Sequence, residues 1–247
     1  METKLTAKGI SKSYDGTKIL EDVSIELRDQ EIVSLLGVSG AGKTTLFNII
    51  SGLMLPDCGH VFLKGKEITG YAGHVSYMLQ KDLLLPYHTV VDNTALPLIL
   101  HGMPKKEARQ KAGAYFAEFG LEGTQKKWPA QLSGGMRQRA ALLRTYLGSE
   151  GVALLDEPFS ALDTITKDAM HTWYLNVMQK IELSTLFITH DIDEAILLSD
   201  RVYILSGRPG HIIAEMPITV PRPRTREFLL SNTFLDYKRK IIDYLKI

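Results

Sequence analysis

Residues 31–53 read EIVSLLGVSGAGKTTLFNIISGL. The apolar run Ile32–Leu36 has the pattern of a buried strand, and TLFNIISGL continues as a helix after a loop in which three of six positions are glycine. The octet GVSGAGKT, residues 37–44, satisfies GxxxxGK[ST] in the strand-to-helix setting that the pattern requires. Gly37, Gly40 and Gly42 open backbone conformations closed to residues with a Cβ and allow close approach to a phosphate. The N–H groups of the loop and of the helix start supply positive potential, Lys43 adds a full charge at the β and γ phosphates, and the Thr44 hydroxyl can ligate Mg²⁺. A plain glycine-rich turn is the simpler alternative. The flanking strand and helix favour a nucleoside triphosphate held by Gly37, Val38, Ser39, Gly40, Ala41, Gly42, Lys43, Thr44 and Thr45.

Outward from that loop, the N-terminal stretch KLTAKGISKSY and TKILEDVSIEL alternates as strands do, with Asp15-Gly16 as a hairpin turn between them. HVFLKGKEI suggests a second hairpin at Lys64-Gly65. From residue 87 to 150 the pattern is helical, and PKKEARQKAGAYFAEFG predicts a helix opened by Pro104, with Ala108, Ala112, Tyr115 and Phe119 on one face and Gly120 at its end. Apolar strands return at GVALLDE, STLFITHD and RVYILSG. The fold class expected is α/β: a mostly parallel sheet core of P-loop NTPase type, an N-terminal antiparallel β subdomain and an inserted α-helical subdomain. The expected division places residues 1–86 with 151–215 in the nucleotide-binding core and β layer, 87–150 in the helical subdomain and 216–247 in a C-terminal helical extension. In that extension Phe234, Tyr237, Ile241 and Tyr244 or Leu245 recur at helical spacing, a stripe expected to pack on the core.

The chain has 247 residues, 45% of them apolar, enough for a sizeable core and against disorder. Its 29 basic and 28 acidic side chains leave a net charge of +1, so no global electrostatic footprint for nucleic acid exists. A lone cysteine, Cys58, cannot form an internal disulfide and is compatible with a reducing compartment. The N-terminus lacks the apolar segment of a secretion signal, and runs such as ALPLIL fall far below the roughly 20 residues needed to span a bilayer. A protein of this kind working at a membrane has to dock on another that spans it.

VALLDEP, residues 152–158, is an apolar strand ending in two carboxylates. In a chain with a phosphate loop, Asp156 is expected to hold Mg²⁺ and Glu157 to take the proton of the attacking water. QLSGGMRQR, residues 131–139, is a loop running into a helix, with Ser133, Gly134 and Gly135 where backbone N–H groups are left without partners. Such a start suits an anion, yet it lies some ninety residues from the phosphate loop.

Together these segments resemble the ATP-binding cassette (ABC) family of transporter ATPases over nearly the whole chain. In the family's order stand Tyr14 as the A-loop aromatic, GVSGAGKT as Walker A, Gln80 as the Q-loop, LSGGM as the signature, VALLDE as Walker B, SALD with Asp163 as the D-loop and His190 as the switch histidine. Singly, Tyr14 reads as a strand aromatic, Gln80 as a loop amide and His190 as a strand-end residue. The resemblance implies ATP and Mg²⁺ as ligands, with Thr44, Gln80 and Asp156 toward the metal. Lys43, Gln80, Glu157 and His190 are implied in catalysis, and Tyr14 and Asp163 at the nucleotide. It further implies a homodimer in which the signature of each second ATPase subunit completes the site of the first. Met136 departs from the commonest LSGGQ; activity is expected to survive, because phosphate capture relies on the serine and on backbone N–H groups.

The segment KDLLLPYHTVVDNTALPL is similar to bacterial importer cassettes, and LSGRPGHIIAEMPITVPRPRT to the nitrate, sulfonate and taurine importer group, whose relatives include carriers of thiamine-precursor pyrimidines. That similarity implies a peripheral subunit at the cytoplasmic face of the cell membrane. It would grip membrane permease subunits through the Q-loop region, with Leu83, Leu84, Leu85 and Pro86 in the groove, and would act indirectly with an extracytoplasmic solute-binding protein. Simple packing of the subdomain junction is the alternative for those apolar residues. Arg208, Arg222, Arg224 and Arg226 are read as a solvated basic face rather than a phosphate site. Two competing functions are a soluble cassette on nucleic acid or ribosomes, disfavoured by the near-neutral charge and the absence of a long heptad insertion, and another P-loop enzyme such as a kinase or GTPase, for which no NKxD-type guanine reader is present.

Overall fold

The computed structural model describes residues 2–246, apart from the side chain of Arg226. Two long antiparallel strands open the chain, β1 (Thr3–Tyr14) and β2 (Thr17–Arg28), with Tyr14 opposite Thr17. Asp15 and Gly16 both take positive φ, 47° and 77°, as a two-residue hairpin turn of the favoured twist requires. After β3 (Ile32–Gly37) and α1 (Lys43–Ile50), β4 (Cys58–Leu63) returns to pair with β1, and β5 (Lys66–Glu67) hangs from it through the Lys64-Gly65 turn. This layer has the order β2-β1-β4-β5.

The second sheet contains β3, β6 (Ser76–Met78), β7 (Val152–Asp156), β8 (Ser184–Thr189), β9 (Arg201–Ser206) and β10 (His211–Pro217) in the order β10-β9-β3-β8-β7-β6. All neighbours in it are parallel except β10 against β9. β3, β7 and β8 are buried at every residue, which is why each reads as an unbroken apolar run. One core fills the space between the two sheets and takes in Leu46, Phe47, Ile49 and Ile50 of α1. A second covers the opposite face with the helices of the 87–178 region.

Those helices are α2 (Val90–Leu100), α3 (Lys105–Ala114), α4 (Gly134–Leu147) and α5 (Thr164–Met178). α3 is shorter than its periodicity predicts. From Tyr115 the chain tightens into turns closed by bonds to the third residue back, Tyr115 N–H to Ala112 O and Phe116 N–H to Gly113 O. The turns still bury Phe116 and Phe119 in the main core, and Tyr115 packs edge-on against Phe119 with ring centroids 6.5 Å apart, so the expected pairing of those two survives the end of the helix. The loop before α2 is pinned by Asn93, which is fully buried. Its Oδ1 accepts the Leu85 N–H at 2.6 Å, and its Nδ2 lies 3.1 Å from each of the carbonyls of Leu85, His88 and Thr89. Asn93→Ala leaves those buried backbone groups without a partner and is expected to cost about 3 kcal/mol. Thermal unfolding checks this, with a midpoint roughly 6–12 °C lower expected for a chain of this size.

The chain ends with α6 (Ile192–Leu198), β10, α7 (Arg226–Leu229) and α8 (Asn232–Leu245). Phe234 and Ile241 of α8 are buried and Tyr237 and Leu245 pack with them against β9 and α6, while Tyr244 points outward. The arginine-proline stretch before α7 is not a solvated basic face. Arg224 is buried, and its guanidinium donates to the carbonyls of Ile196, Leu197, Ser199, Ile218 and Val220, closing the C-terminal end of α6. Burial without a carboxylate partner pulls its pKa down to about 10. Arg222 is paired with Asp200 at 2.8 Å, Arg208 is exposed, and the side chain of Arg226 lies outside the described residues. Among the described residues no helix is long and apolar enough to cross a membrane.

Candidate functional site

Four parallel strands end on the same edge of the sheet, where open α/β folds bind their ligands. β3 runs into the glycine loop, β6 leads to Gln80, β7 ends at Asp156 with Glu157 following, and β8 leads to His190. A cleft of about 610 Å³ at this edge is lined by Ser39, Gly40, Gly42, Lys43, Thr44, Thr45, Gln80, Asp156, Glu157 and His190, with Ile19 and Ile188. Residues as far apart in sequence as Ile19 and His190 thus share one wall.

The loop's glycines have individual reasons. A Cβ on Gly37 would collide with the Leu205 carbonyl of neighbouring β9, and Gly42 caps α1 at φ 94°, leaving the first N–H groups of the helix with no side-chain cap. Lys43 is buried, and its ammonium donates to the carbonyls of Gly37 at 2.7 Å and Val38 at 2.9 Å. Burial lowers its pKa, against the charges of Glu157 and Asp156, which raise it.

Asp156 is buried, and its Oδ2 accepts from Tyr77 Oη at 3.2 Å and from Thr44 Oγ1 at 3.4 Å. Its pKa is raised, chiefly by burial and then by Glu157, while the hydroxyl bonds and Lys43 work against the shift. Glu157 sits at φ 46°, a conformation that costs a residue with a Cβ and persists only where neighbours enforce it. Its N–H donates to the Ile188 carbonyl at 3.1 Å. The carboxylate accepts from Gln80 Nε2 at 3.2 Å and lies 3.0 Å from His190 Nδ1. Gln80 Nε2 also reaches Ser160 Oγ at 3.3 Å.

Other expected site residues lie off this wall. Val38 and Ala41 belong to the loop without lining the cleft. Tyr14 is exposed at the β1–β2 hairpin, its hydroxyl 2.8 Å from Met54 Sδ. Asp163 is exposed and caps α5, accepting from the Thr166 N–H at 3.0 Å. Ser133 is exposed at the start of α4, where its hydroxyl accepts from the Met136 N–H at 3.3 Å; Gly134 and Gly135 form the first turn. The signature residues therefore do not line this chain's own cleft.

The structure also adds residues that no local pattern announced. Tyr77 holds Asp156, and burial with the adjacent carboxylate keeps its phenol far above the usual pKa. Arg144 of α4 donates to the carbonyls of Asp82 and Leu83 at 2.6 and 2.8 Å, and Arg137 pairs with Asp82 at 3.2 Å, so the signature helix grips the segment that follows Gln80. Lys167 of α5 donates to Asp191 at 2.6 Å, and Asp191 caps α6 through the N–H groups of Asp193 and Glu194, which steadies the turn carrying His190.

Comparison with known proteins agrees with this geometry. A family model described as ABC transporter matches residues 20–160. The formylaminopyrimidine import ATP-binding protein ThiZ of Halalkalibacterium halodurans is 44% identical over 215 residues, 87% of this chain and 84% of its own length. The taurine import ATP-binding protein TauB of Escherichia coli O157:H7 is 39% identical over 209 residues, 85% of this chain and 82% of its own. Among solved structures, the dimeric post-hydrolysis state of the ATP-binding cassette MJ0796 bound to ADP and Pi superposes with a TM-score of 0.74 at 27% identity, covering 88% of this chain and all of that one. With a phosphate loop, paired carboxylates and a strand-end histidine on one wall and these relatives along most of its length, the chain belongs to the ABC transporter family and is an ATP-hydrolysing cassette.

Proposed function

We propose that two copies of this chain face each other head to tail and hydrolyse ATP at two composite sites, energising the import of a small solute through partner membrane subunits. The observation that carries this reading is the division of the machinery. One cleft collects Lys43, Thr44, Gln80, Asp156, Glu157 and His190, while Ser133 is exposed outside it at an anion-suited helix start. In this assignment Lys43 and the loop N–H groups bind the phosphates, Tyr14 takes the adenine, and Glu157 accepts the proton of the water that attacks the γ-phosphorus as ADP departs. Gln80 and His190 contact the γ-phosphate and steady the Glu157 carboxylate. Ser133, Gly134 and Gly135 reach the γ-phosphate held by the other copy, and Asp163 acts beside the same junction.

The donor set fits Mg²⁺. Asp156 makes no ion pair within 4.0 Å among the described residues, and with the Thr44 hydroxyl and the Gln80 amide it offers oxygen donors at the cleft. Thr44, Asp156 and Gln80 would hold the ion, which when bound neutralises phosphate charge.

The solute class proposed is a small organic anion of sulfonate type or a thiamine-precursor pyrimidine, in keeping with the names of the import relatives. Leu83, Leu85 and Tyr87 are exposed on the segment that α4 grips, and they supply the contact for a permease subunit at the cytoplasmic membrane face. A solute-binding protein acts through that permease. Purifying the assembly from its native membrane and placing it in proteoliposomes tests the function. ATP-dependent solute uptake is expected; isolation without membrane subunits, with turnover stimulated by DNA or ribosomes, would overturn the importer reading.

A further inference from the structure

The turn between β9 and β10, Gly207 to Gly210, lies directly against the phosphate loop. A Cβ on Gly210 would collide with the carbonyl oxygen of Ala41, the Gly210 N–H donates to Ile19 O at 2.8 Å, and its carbonyl accepts the Glu21 N–H at 3.0 Å. This stapling holds Arg208 beside the loop: a Cβ built on Gly40 would sit 3.4 Å from an Arg208 Nη2 atom. Gly40 itself lines the nucleotide cleft.

Arg208 is exposed and makes no hydrogen bond or ion pair among the described residues. Glu21, the acidic residue whose N–H bonds this turn, is engaged with Lys18 at 2.5 Å. An unpartnered guanidinium is thus kept near a loop that already contains the Lys43 cation, an arrangement of like charges that becomes favourable when a polyanion arrives. A guanidinium presents a planar fork of donors matched to phosphate oxygens. We propose that Arg208 is a further phosphate-binding residue of the nucleotide site, reaching the polyphosphate over Gly40. The inference rests on the assignment of the Lys43 loop as the triphosphate site and adds to it a contact from the far side of the sheet's edge hairpin. A carboxylate of a second copy is the competing acceptor.

Calorimetric titration of the full chain with ATP, ADP and AMP, at concentrations where it is monomeric, separates these cases. Arg208→Ala is expected to weaken ATP and ADP by about tenfold and AMP by less than about twofold, and Arg208→Lys, which keeps the charge but not the planar fork, to fall between Arg208→Ala and the original. The tenfold loss should shrink as salt is raised. Lys43→Ala serves as the control for the underlying site and should remove measurable ATP binding. Unchanged ATP affinity in Arg208→Ala, with Lys43→Ala inactive in binding, overturns the Arg208 inference and leaves the site standing. Weakening of AMP equal to that of ATP overturns it as well, and so does unchanged monomer affinity with impaired ATP-driven dimerisation, which assigns Arg208 to a partner carboxylate. ATP binding that survives Lys43→Ala removes the site reading itself.

Discussion

Replacing Glu157 with glutamine is expected to lower ATP turnover by about 10² to 10⁴, the usual worth of a general base. The amide has the shape of the carboxylate, so Gln80 and His190 retain a side chain to contact and the φ of 46° at this position is demanded of either residue alike. What disappears is the acceptor for the water proton. The phosphate contacts come from Lys43 and the loop, which Glu157 does not touch through a hydrogen bond, so ATP should still bind. Trapped ATP should then hold two chains together, and gel filtration with ATP should show the dimer where the unaltered chain, clearing its nucleotide, shows less of it. Turnover unchanged by Glu157→Gln would remove the base assignment.

A second large effect is expected from mixing two inactive chains. Lys43→Ala destroys the phosphate contact of its own cleft, and Ser133→Arg fills the exposed start of α4 with a bulky cation. In a head-to-tail dimer each site takes its loop from one copy and its signature from the other. A mixed dimer therefore has one site with both defects and one with neither. Equal mixing gives half mixed dimers, each with one working site of two, so recovery to roughly a quarter of the original rate is expected. Each variant alone should be nearly silent. No recovery in a mixture shown to contain mixed dimers would count against sites shared between copies, and full activity of Ser133→Arg alone would show that the signature serine is dispensable.

The parts of this protein legible without coordinates are those whose physics is local. GVSGAGKT requires a strand before it, a helix after it and positive φ in the loop between, and all three demands are met within a few residues of chain; Gly40 and Gly42 are found at 80° and 94°. VALLDE and STLFITHD announce buried parallel strands because both faces of such strands are covered. The Asp15-Gly16 turn is likewise written into two adjacent residues. Helix length was harder. Periodicity carries α3 through Phe119, yet the helix ends at Ala114 and the chain goes on in turns that keep Phe119 buried with Tyr115 against it, because apolar spacing marks which residues are covered and not which backbone bonds carry them.

Tertiary structure alone decided the pairings between distant residues. Tyr77 to Asp156 spans 79 positions, Arg144 to the Asp82 carbonyl 62, and Arg208 meets Gly40 only because β10 folds back beside β9 and its turn closes on the loop. The arginine-rich stretch shows the limit most clearly: composition suggested solvent, but the carbonyls at the end of α6 needed a donor and Arg224 was the side chain within reach. Backbone conformation and buried-strand character are set by neighbours along the chain. Which polar groups satisfy one another is set by neighbours in space, because a buried donor or acceptor must find whatever partner the packing brings to it.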